Sequence, residues 1–444
     1  MPFIFDVRRR QIAVLLALTA ATLLAPAVRA SDLPALVLPA GVGVNIHFTS
    51  GHEKDLDRIA AAGFKWVRED FFWSAIERRR GEYDWSDYDD LVTQLQQRGL
   101  RPYFILDYSN PLYEQMVTGT NPLTGKPEER TLASPQHPES IAAFARWAAA
   151  AAKHFHGRGV IWELWNEPNI GFWKPKPDAN QYAALALATC RAIRKADPRA
   201  TIVAPASSGF PWEFLETLFK AGALQYLDAV SVHPYRPPTS PPESAAADYR
   251  RLRALIKQYA PPGKKNLPII SGEWGYSSNT RGVSLEQQAN FIARQQLSNL
   301  LNGVPVSIWY DWKNDGNNPA ENEHNFGTVT SDLTPKPAYA AIQALTHELA
   351  GGRLERRFDT GNTNDFVLIF RDRRRQTKLA AWTIGAAHQV SLKWSKTSAK
   401  EFSFVNGAGQ PGKLENENGR ILIPLDGDPK YIDLHGGKIS FEMK

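Results

Sequence analysis

Two glutamates at the ends of short apolar segments, Glu167 and Glu273, have the spacing of a catalytic carboxylate pair. Each follows a run typical of a buried strand, residues 160–164 and 267–271 respectively. They lie 106 residues apart, and because a strand–helix unit takes about 30 residues, three units separate them. In an eight-unit barrel this spacing fits strands 4 and 7, whose ends face each other across the mouth. Paired carboxylates at that place predict glycoside hydrolysis.

The strand before Glu167 is expected to have one apolar face and one face with carboxylates, because side chains alternate along a strand. One set suits packing against helices: Val160, Trp162 and Leu164. The other set carries the acids: Ile161, Glu163, Trp165 and Glu167. Pro168 has no N–H to continue the ladder, so we expect the strand to end there. Glu163 is expected to lie deeper in the barrel, hydrogen-bonded rather than catalytic.

Strand-like and helix-like segments alternate between residues 40 and 350 and predict an α/β fold, a (β/α)8 TIM barrel with long loops. After residue 350 the pattern changes to short β-prone runs separated by turns such as Asn406-Gly407 and Asp426-Gly427. This change predicts a C-terminal antiparallel β-sandwich domain over residues 351–444. Its role is either sugar binding or bracing of the barrel.

Residues 1–30 have the features of a signal peptide: arginines at positions 8–10, an apolar stretch over residues 12–24 and small residues before position 30. An uncleaved inner-membrane anchor is the alternative. The formal charge of the chain is +6, and this segment holds four Arg and one Asp, so the remainder carries +3. So small a charge does not favour a nucleic-acid partner. We expect a periplasmic or secreted protein with no stable membrane span once the signal is cleaved.

The two glutamates stand in motifs that resemble a known clan. The Trp165-Asn166-Glu167-Pro168 run, together with Gly272-Glu273-Trp274, resembles clan A of the glycoside hydrolases. The longer run over residues 163–169, the 231–235 segment and the β-rich tail are most similar to glycoside hydrolase family 39. Within that family the chain resembles periplasmic endoglycosidases of bacterial exopolysaccharide (biofilm) operons. The resemblance covers residues 40–440 and implies that Glu167 is the acid/base and Glu273 the nucleophile.

The chemistry assigns different needs to the two carboxyl groups. Glu167 must hold a proton as general acid and later act as general base, which requires burial or a nearby negative charge. Glu273 must stay ionised to attack, so it needs hydrogen-bond donors. Arg68, at the end of the second strand, is the expected donor, and the resemblance implies an Arg at this place too. The alternative is a structural ion pair of Arg68 with Glu69 or Asp70.

Other polar residues are candidates for substrate contacts. Asn166 can donate to a sugar 2-hydroxyl, an interaction that strengthens in the transition state. Tyr235 and His233 either orient Glu273 or are merely packed. His47, at the top of the first strand, is a candidate subsite residue.

Tryptophans near the strand ends are candidate stacking platforms for the apolar faces of sugars. By alternation, Trp309 is expected to point into the barrel with Ser307, and Val306 and Ile308 toward the helices. Trp173 and Trp274 lie in or before the loops that follow strands 4 and 7 and are further candidate platforms.

No metal or cofactor is expected. The chain has one cysteine, Cys190, so it has no intrachain disulfide and no Cys/His cluster with zinc spacing. An acidic group after strand 8 is either a Ca²⁺ site or a plain turn, and we favour the turn: Asp311, Asp315, Asn317 and Asn318.

Together these features predict a retaining glycoside hydrolase that cuts a β-linked polysaccharide or oligosaccharide. Two long connections, residues 107–137 and 310–335, exceed the usual 2–6 residues of loops after barrel strands. Loops on both sides of a groove would favour internal cleavage. An exo-acting β-glycosidase of β-xylosidase type is the nearer alternative, and a non-catalytic glycan-binding protein of an export system is the farther one.

Overall fold

The computed structural model describes residues 33–121, 124–395, 402–417, 420–434 and 438–439. The predicted signal segment lies outside the described residues. None of the helices in the described part of the chain combines the length and the apolar composition that spanning a bilayer requires.

The first part of the described chain alternates strands and helices. Its strands are β1 (Val42–Asn45), β2 (Trp66–Phe72), β3 (Arg101–Asp107), β4 (Met116–Thr120), β5 (Pro127–Leu132), β6 (Ile161–Leu164), β7 (Thr201–Ser208), β8 (Ala229–His233), β9 (Ile269–Trp274) and β10 (Ser307–Trp309). Its helices are α1 (Glu53–Ala61), α2 (Trp73–Ile76), α3 (Ser86–Gln97), α4 (Pro138–His154), α5 (Ala179–Ala196), α6 (Trp212–Lys220), α7 (Ala246–Tyr259), α8 (Leu285–Leu301) and α9 (Pro337–Glu348). Short 3-10 turns lie at Ala223–Gln225, Pro242–Ala245, Pro262–Lys264 and Glu323–Asn325.

Eight of these strands close into a parallel barrel, in the order β1-β10-β9-β8-β7-β6-β3-β2. Apolar side chains fill its lumen: Trp66, Tyr103, Ile161, Val203, Ala229, Ile270, Val306 and Ile308. A second apolar layer lies between the strands and the surrounding helices. The predicted (β/α)8 barrel is therefore confirmed, and β6 and β9, which lead to the two glutamates, are its fourth and seventh strands.

The expected orientation of the last barrel strand was wrong. Val306 and Ile308 point into the lumen, whereas Trp309 is fully buried in the outer layer, toward the helices. Ser307 also faces outward, and its Oγ accepts a hydrogen bond from Asn299 of α8 at 2.8 Å. The prediction placed the polar Ser307 inside, but the lumen of this barrel is apolar at that level, so the aliphatic side chains occupy it.

The long connection after β3 has structure of its own, which the sequence did not predict. Strands β4 and β5 form an antiparallel hairpin within it. The connection after β10 contains the 3-10 turn Glu323–Asn325 and is tied to the chain near its end, where Val329 bridges to Lys313 and Pro335. Both connections rise from the carboxyl ends of barrel strands.

The C-terminal part of the chain forms one continuous antiparallel sheet in the order β11-β12-β13-β18-β15-β16-β17-β14-β19. Its strands are β11 (Arg353–Phe358), β12 (Asp365–Arg371), β13 (Thr377–Thr383), β14 (His388–Ser395), β15 (Phe402–Asn406), β16 (Pro411–Glu417), β17 (Arg420–Leu425), β18 (Lys430–Asp433) and β19 (Lys438–Ile439). The sheet encloses its own apolar core. This sandwich-like arrangement confirms the predicted fold class.

Alternation along β12 and β13 gives this sheet two apolar faces. Val367 and Ile369 pack into the core of the sheet itself, whereas Phe366 and Leu368 belong to the large cluster shared with the barrel. At the junction, the indole Nε1 of Trp382 donates to Glu243 Oε1 at 2.7 Å. Glu243 is also paired with buried Arg294 of α8 at 2.8 Å. These contacts fit the bracing role better than the sugar-binding role.

Candidate active site

A cavity of about 440 Å³ opens at the carboxyl ends of the barrel strands. It is lined by Asn45, His47, Arg68, Asp70, Ile105, Tyr108, Asn166, Glu167, Ile170, Phe172, Ser208, Tyr235, Glu273, Tyr310, Asn322, Glu323 and Phe326. The cavity therefore contains both predicted catalytic glutamates, and it occupies the end of the barrel where such folds carry their chemistry.

The chain turns sharply out of β6 to present Glu167. The alternation predicted from the sequence holds as far as Glu163, which faces the lumen, and breaks at Trp165, whose side chain lies in the outer layer. Trp165 and Glu167 have positive φ angles of 67° and 45°. Non-glycine residues rarely adopt this conformation, and it concentrates at functional sites. The Glu167 amide donates to the carbonyl of Ala206 at 2.9 Å, which fixes the turn.

An irregularity in β9 brings Glu273 to the same cavity. Ser307 of β10 pairs with Ser271, but the next paired residue, Trp309, aligns with Trp274. Two residues of β9, Gly272 and Glu273, thus stand opposite one residue of β10, which is the geometry of a β-bulge. A bulge re-aims the side chain that follows it, so Glu273 lines the cavity while Trp274 packs toward the helices.

The two carboxyl groups are close together. One oxygen of Glu167 and one of Glu273 lie within 4.8 Å of each other. Retaining glycosidases place their carboxyl groups about 5–5.5 Å apart, whereas inverting enzymes need about 6.5–9.5 Å to leave room for a water. The separation favours direct attack by one carboxylate on the sugar.

Glu273 is surrounded by groups that stabilise its ionised form. Tyr235 Oη donates to Oε1 at 2.8 Å, and Arg68 Nη1 donates to Oε2 at 2.6 Å. Burial by itself would raise the pKa of Glu273, but the charge of Arg68 and the hydrogen bonds from Tyr235 and Arg68 hold the pKa below the ordinary value of 4.5. Tyr235 therefore contacts the proposed nucleophile directly.

Arg68 connects the parts of the site. Its fully buried guanidinium donates to Glu163 at 2.8 Å, to Asn45 at 2.8 Å and to Asn166 at 2.9 Å, in addition to Glu273. The structure therefore shows the expected pairing with Glu273 and not the alternative ion pair with Glu69 or Asp70.

Glu163 lies beneath the site, hydrogen-bonded as expected. Its Oε1 accepts from Tyr103 Oη at 2.7 Å and from Ser231 Oγ, and its Oε2 accepts from Arg68. Gly272 packs against this carboxylate, since a Cβ there would lie 2.7 Å from Glu163 Oε1. Glu163 thus fixes Arg68, which in turn fixes Glu273.

His233 links Arg68 to the proposed acid. Its Nε2 lies 3.4 Å from Arg68 Nη2, and because a guanidinium can only donate, Nε2 accepts and the ring proton is assigned to Nδ1. Nδ1 then donates to Glu167 Oε1 at 3.0 Å. Among the described residues no donor bonds to the other oxygen of Glu167, and that oxygen is available to a leaving group.

Asn166 and His47 both line the cavity. Asn166 Oδ1 accepts from Arg68, which fixes the amide orientation, and Nδ2 donates to Tyr108 Oη at 3.2 Å. The second N–H of Nδ2 can donate to a sugar hydroxyl. His47 is exposed, lies 3.6 Å from Asp311 Oδ2 and packs edge-on against Tyr310. These positions fit the contacts that the sequence predicts.

The three tryptophans predicted as platforms are fully buried: Trp173, Trp274 and Trp309. A stacking platform needs an exposed face, so this prediction was wrong. Trp173, for example, donates from Nε1 to Gln181 of α5 at 3.1 Å and packs against Trp165.

Four other aromatic residues line the cavity instead: Tyr108, Phe172, Tyr310 and Phe326. Tyr108 and Phe172 are stacked on each other with an interplanar angle of 12°. All four lie in loops, where no periodicity indicates which residues face a ligand. Tyr310 directly follows the misplaced Trp309, so a shift of one residue along β10 would have identified it.

The acidic turn after β10 is held by its own hydrogen bonds. Asn317 Oδ1 accepts from Ser331 Oγ at 2.6 Å, and Asn318 Oδ1 accepts from the Ala320 amide at 3.1 Å. Among the residues that the structure describes, two groups have the spacing to bind a cation, namely His47 with Asp311 and Asp315, and Glu167 with His233 and Glu273. In the second group Arg68 and Tyr235 already donate to Glu273, and the His233 N–H donates to one oxygen of Glu167, which disfavours a metal there. The bonds of Asn317 and Asn318 favour the plain turn.

Comparisons with known proteins agree with this geometry. A family model described as Cellulase (glycosyl hydrolase family 5) matches residues 40–316, well over half of the chain. A β-xylosidase of Caldicellulosiruptor saccharolyticus is 24% identical over 319 residues, which cover 66% of this chain and 62% of that protein. A β-xylosidase of Geobacillus stearothermophilus is 29% identical over 220 residues, 43% of this chain and 42% of that protein. The chain thus spans less than two thirds of either relative.

A solved glycoside hydrolase structure has the same fold as this chain. The family 39 glycoside hydrolase from the gut symbiont Bacteroides cellulosilyticus WH2 superposes with a TM-score of 0.75 at 25% identity, over 90% of this chain and 81% of that one. The clan expected from the sequence is confirmed. The chain belongs to the cellulase family of glycosyl hydrolases (family 5), and with it to clan A of the glycoside hydrolases.

Proposed function

We propose that this protein is a retaining glycoside hydrolase that cleaves β-glycosidic bonds within a polysaccharide. The observation that carries the proposal is the pair Glu167 and Glu273, whose oxygens lie within 4.8 Å while only Glu273 is held by two strong donors. The two carboxyl groups are close together but have different hydrogen-bond partners, so one can serve as the nucleophile and the other as the acid/base. Double displacement requires this arrangement.

The reaction follows from these positions. Glu273 attacks the anomeric carbon while Glu167 protonates the departing glycosidic oxygen, so that a covalent glycosyl–enzyme forms and the leaving chain departs as an alcohol. Glu167, now ionised, takes a proton from water, and that water displaces Glu273 from the sugar. Asn166 holds the 2-hydroxyl of the sugar. Arg68 and Tyr235 donate hydrogen bonds to Glu273 and stabilise its carboxylate when it leaves the anomeric carbon.

Within clan A, we further propose that the chain is most similar to family 39 and to the periplasmic endoglycosidases of exopolysaccharide operons. The superposition on a family 39 hydrolase and the C-terminal sheet support this placement. The signal-like residues 1–30 support a periplasmic or secreted location. Cell fractionation with an antibody against the native chain tests the location, and recovery in the cytosol would contradict it.

Internal cleavage is supported by the walls of the cavity. Tyr108 and Phe172, which follow β3 and β6, line one part, whereas Tyr310 and Phe326, which follow β10, line another. These strand ends are separated around the barrel, so sugar units on both sides of the scissile bond would find aromatic surface. An exo enzyme needs such surface on one side only.

Exo action is the second candidate, because the two relatives with matching sequence are named β-xylosidases. Kinetics separate the alternatives. An endo enzyme lowers the viscosity of its polymer early, when few reducing ends have appeared. Monosaccharide released from the first minutes at nearly constant viscosity would show exo action. Glu273→Gln is the control, because it should bind the glycan without cleaving it. Binding without cleavage by the wild type would instead indicate the non-catalytic alternative.

A further inference from the structure

The cavity is rich in acidic side chains. Four carboxyl groups line it: Asp70, Glu167, Glu273 and Glu323. Arg68 is the one lining residue with a permanent positive charge, and its guanidinium is already bonded to Glu163, Glu273, Asn45 and Asn166. A ligand that enters this cavity therefore meets carboxylates without an uncommitted cation among the lining residues.

Asp70 is supported from beneath by a second carboxyl group. Asp107, at the end of β3, is fully buried, and no N–H or O–H donor among the described residues reaches either of its oxygens. Burial and the charge of Asp70, with which its side chain makes contact, raise the pKa of Asp107 well above the ordinary value. Protonated Asp107 can donate to Asp70, and Asp70 lines the cavity as an acceptor.

Glu323 is the corresponding group from the loop after β10. Tyr310 Oη donates to its Oε2 at 3.2 Å, and Asn322 Nδ2 donates to its Oε1 at 3.0 Å. These bonds hold the carboxyl group in place at the cavity wall. Asp70 comes from β2 and Glu323 from the connection after β10, so acidic groups reach the cavity from separate strands as well as from its catalytic centre.

We propose that this cavity selects sugar units without an anionic group, that it rejects uronate units, and that Asp70 is the residue that chiefly imposes this selection. The inference rests on the proposed hydrolase function and adds the substrate class. A neutral sugar donates its hydroxyls to Asp70 and Glu323, which suits groups that can only accept. A uronate carboxylate has no hydrogen to offer them at neutral pH and is repelled by the ionised carboxylates of the cavity.

A matched pair of substrates tests the selection whatever the natural glycan is. Para-nitrophenyl β-glucoside and β-glucuronide differ only in the C6 group, and the galactoside and galacturonide form a second pair. The expected result for the wild type is a kcat/KM ratio of at least about a hundredfold in favour of the neutral member. Each free sugar and its uronic acid are also compared as inhibitors, which requires no variant.

Four substitutions locate the effect. Asp70→Asn is expected to reduce the kcat/KM ratio of neutral glycoside to uronide at least about tenfold. Glu323→Gln is expected to reduce this ratio less. Asp107→Asn should keep the ratio, because its amide can still donate to Asp70. Glu321→Gln is the matched control, because it removes a charge from the same loop as Glu323 at an exposed position outside the cavity. Melting temperatures verify that each variant is folded.

The outcomes are distinct. Equal or better turnover of the uronide, or tighter inhibition by the uronic acid, would overturn the proposal while leaving the hydrolase function intact. An unchanged kcat/KM ratio in folded Asp70→Asn would show that Asp70 does not impose the selection. If Asp70→Asn does not fold, the kcat/KM ratio of Glu323→Gln shows whether the carboxyl groups of the cavity wall impose it. A wild-type protein that hydrolyses no glycoside and no glycan would overturn the proposed function itself, and the substrate class with it.

Discussion

At the scale of single residues, one buried arginine organises the chemistry. Arg68 holds Glu273 with one nitrogen and positions Asn166 and His233 with another, so the nucleophile, the 2-hydroxyl donor and the partner of the acid share one anchor. Glu163 balances this charge from below. Breaking such a buried pair by removing one partner costs about 3–5 kcal/mol, which is why the site needs Glu163 although the reaction does not use it.

Removal of the acid should affect substrates unequally. Glu167→Ala is expected to lower kcat on poor leaving groups by about 10²- to 10⁴-fold. With activated aryl glycosides, which leave without a proton, the first step should be spared, and turnover should be limited by the second step, which loses its general base. Added azide, a nucleophile that needs no general base, should restore turnover of the activated substrate. Failure of azide to do so in a folded variant would contradict the acid/base role of Glu167.

The donors to Glu273 make a prediction about pH. The pKa of Glu273 lies below 4.5, so kcat/KM should fall in acid only below that pH, as the carboxylate becomes protonated. Tyr235→Phe removes a donor to the ionised form, so the pKa should rise and the acid limb should move to higher pH, with kcat/KM lower by about tenfold to a hundredfold. An acid limb that stays in place would show that Tyr235 is merely packed.

At the scale of elements, the sequence predicted what periodicity encodes. Alternating segments gave the eight barrel units, and the Asn-Glu-Pro run and the second glutamate identified the acid and the nucleophile candidates. Periodicity could not predict the bulge that re-aims Glu273 or the turn that carries Trp165 outward, because both break the alternation. It also gave the wrong face for Trp309, since the choice between the two faces of a three-residue strand depends on what fills the lumen.

Gly272 tests how the bulge and the lumen cooperate. A Cβ at this position would contact Ser231 Oγ and lie 2.7 Å from Glu163 Oε1 and 3.1 Å from Tyr103 Oη. Gly272→Ala is therefore expected to cost about 1–3 kcal/mol of stability and to lower kcat/KM, because Glu163 can no longer hold Arg68 in place.

Gly263→Ala is the control for that substitution, since a Cβ there has no heavy atom within 4 Å. It should leave stability and activity near those of the wild type. Wild-type kcat/KM in Gly272→Ala, measured beside thermal unfolding of both variants, would contradict the positioning role assigned to Glu163.

At the scale of the whole molecule, the C-terminal sheet completes the barrel rather than standing apart. One face of β12 and β13 fills the sheet core, and the other covers the barrel helices. Strand β16 could not be expected from the sequence, because it begins with Pro411-Gly412, which has the composition of a turn. Gly412 is required there by close packing, because a Cβ would overlap the Phe404 ring.

Trp382 tests the bracing role. Trp382→Phe removes the donor to buried Glu243 and should lower the free energy of unfolding by about 1–3 kcal/mol without changing kcat/KM. Trp212→Phe, at a half-buried position on α6, is the matched control and should have little effect. Weaker polysaccharide binding by folded Trp382→Phe, at unchanged stability, would favour the sugar-binding alternative.

The central claim is that Glu167 and Glu273 act by double displacement, and the stereochemistry of the first product tests it most directly. Proton NMR during the first minutes of hydrolysis of a β-linked substrate distinguishes the two anomers before they equilibrate. Two successive displacements at the anomeric carbon return the original configuration, so the β-anomer should appear first and the α-anomer only later by mutarotation. Initial appearance of the α-anomer would show a single displacement by water and would contradict the assignment of Glu273 as nucleophile.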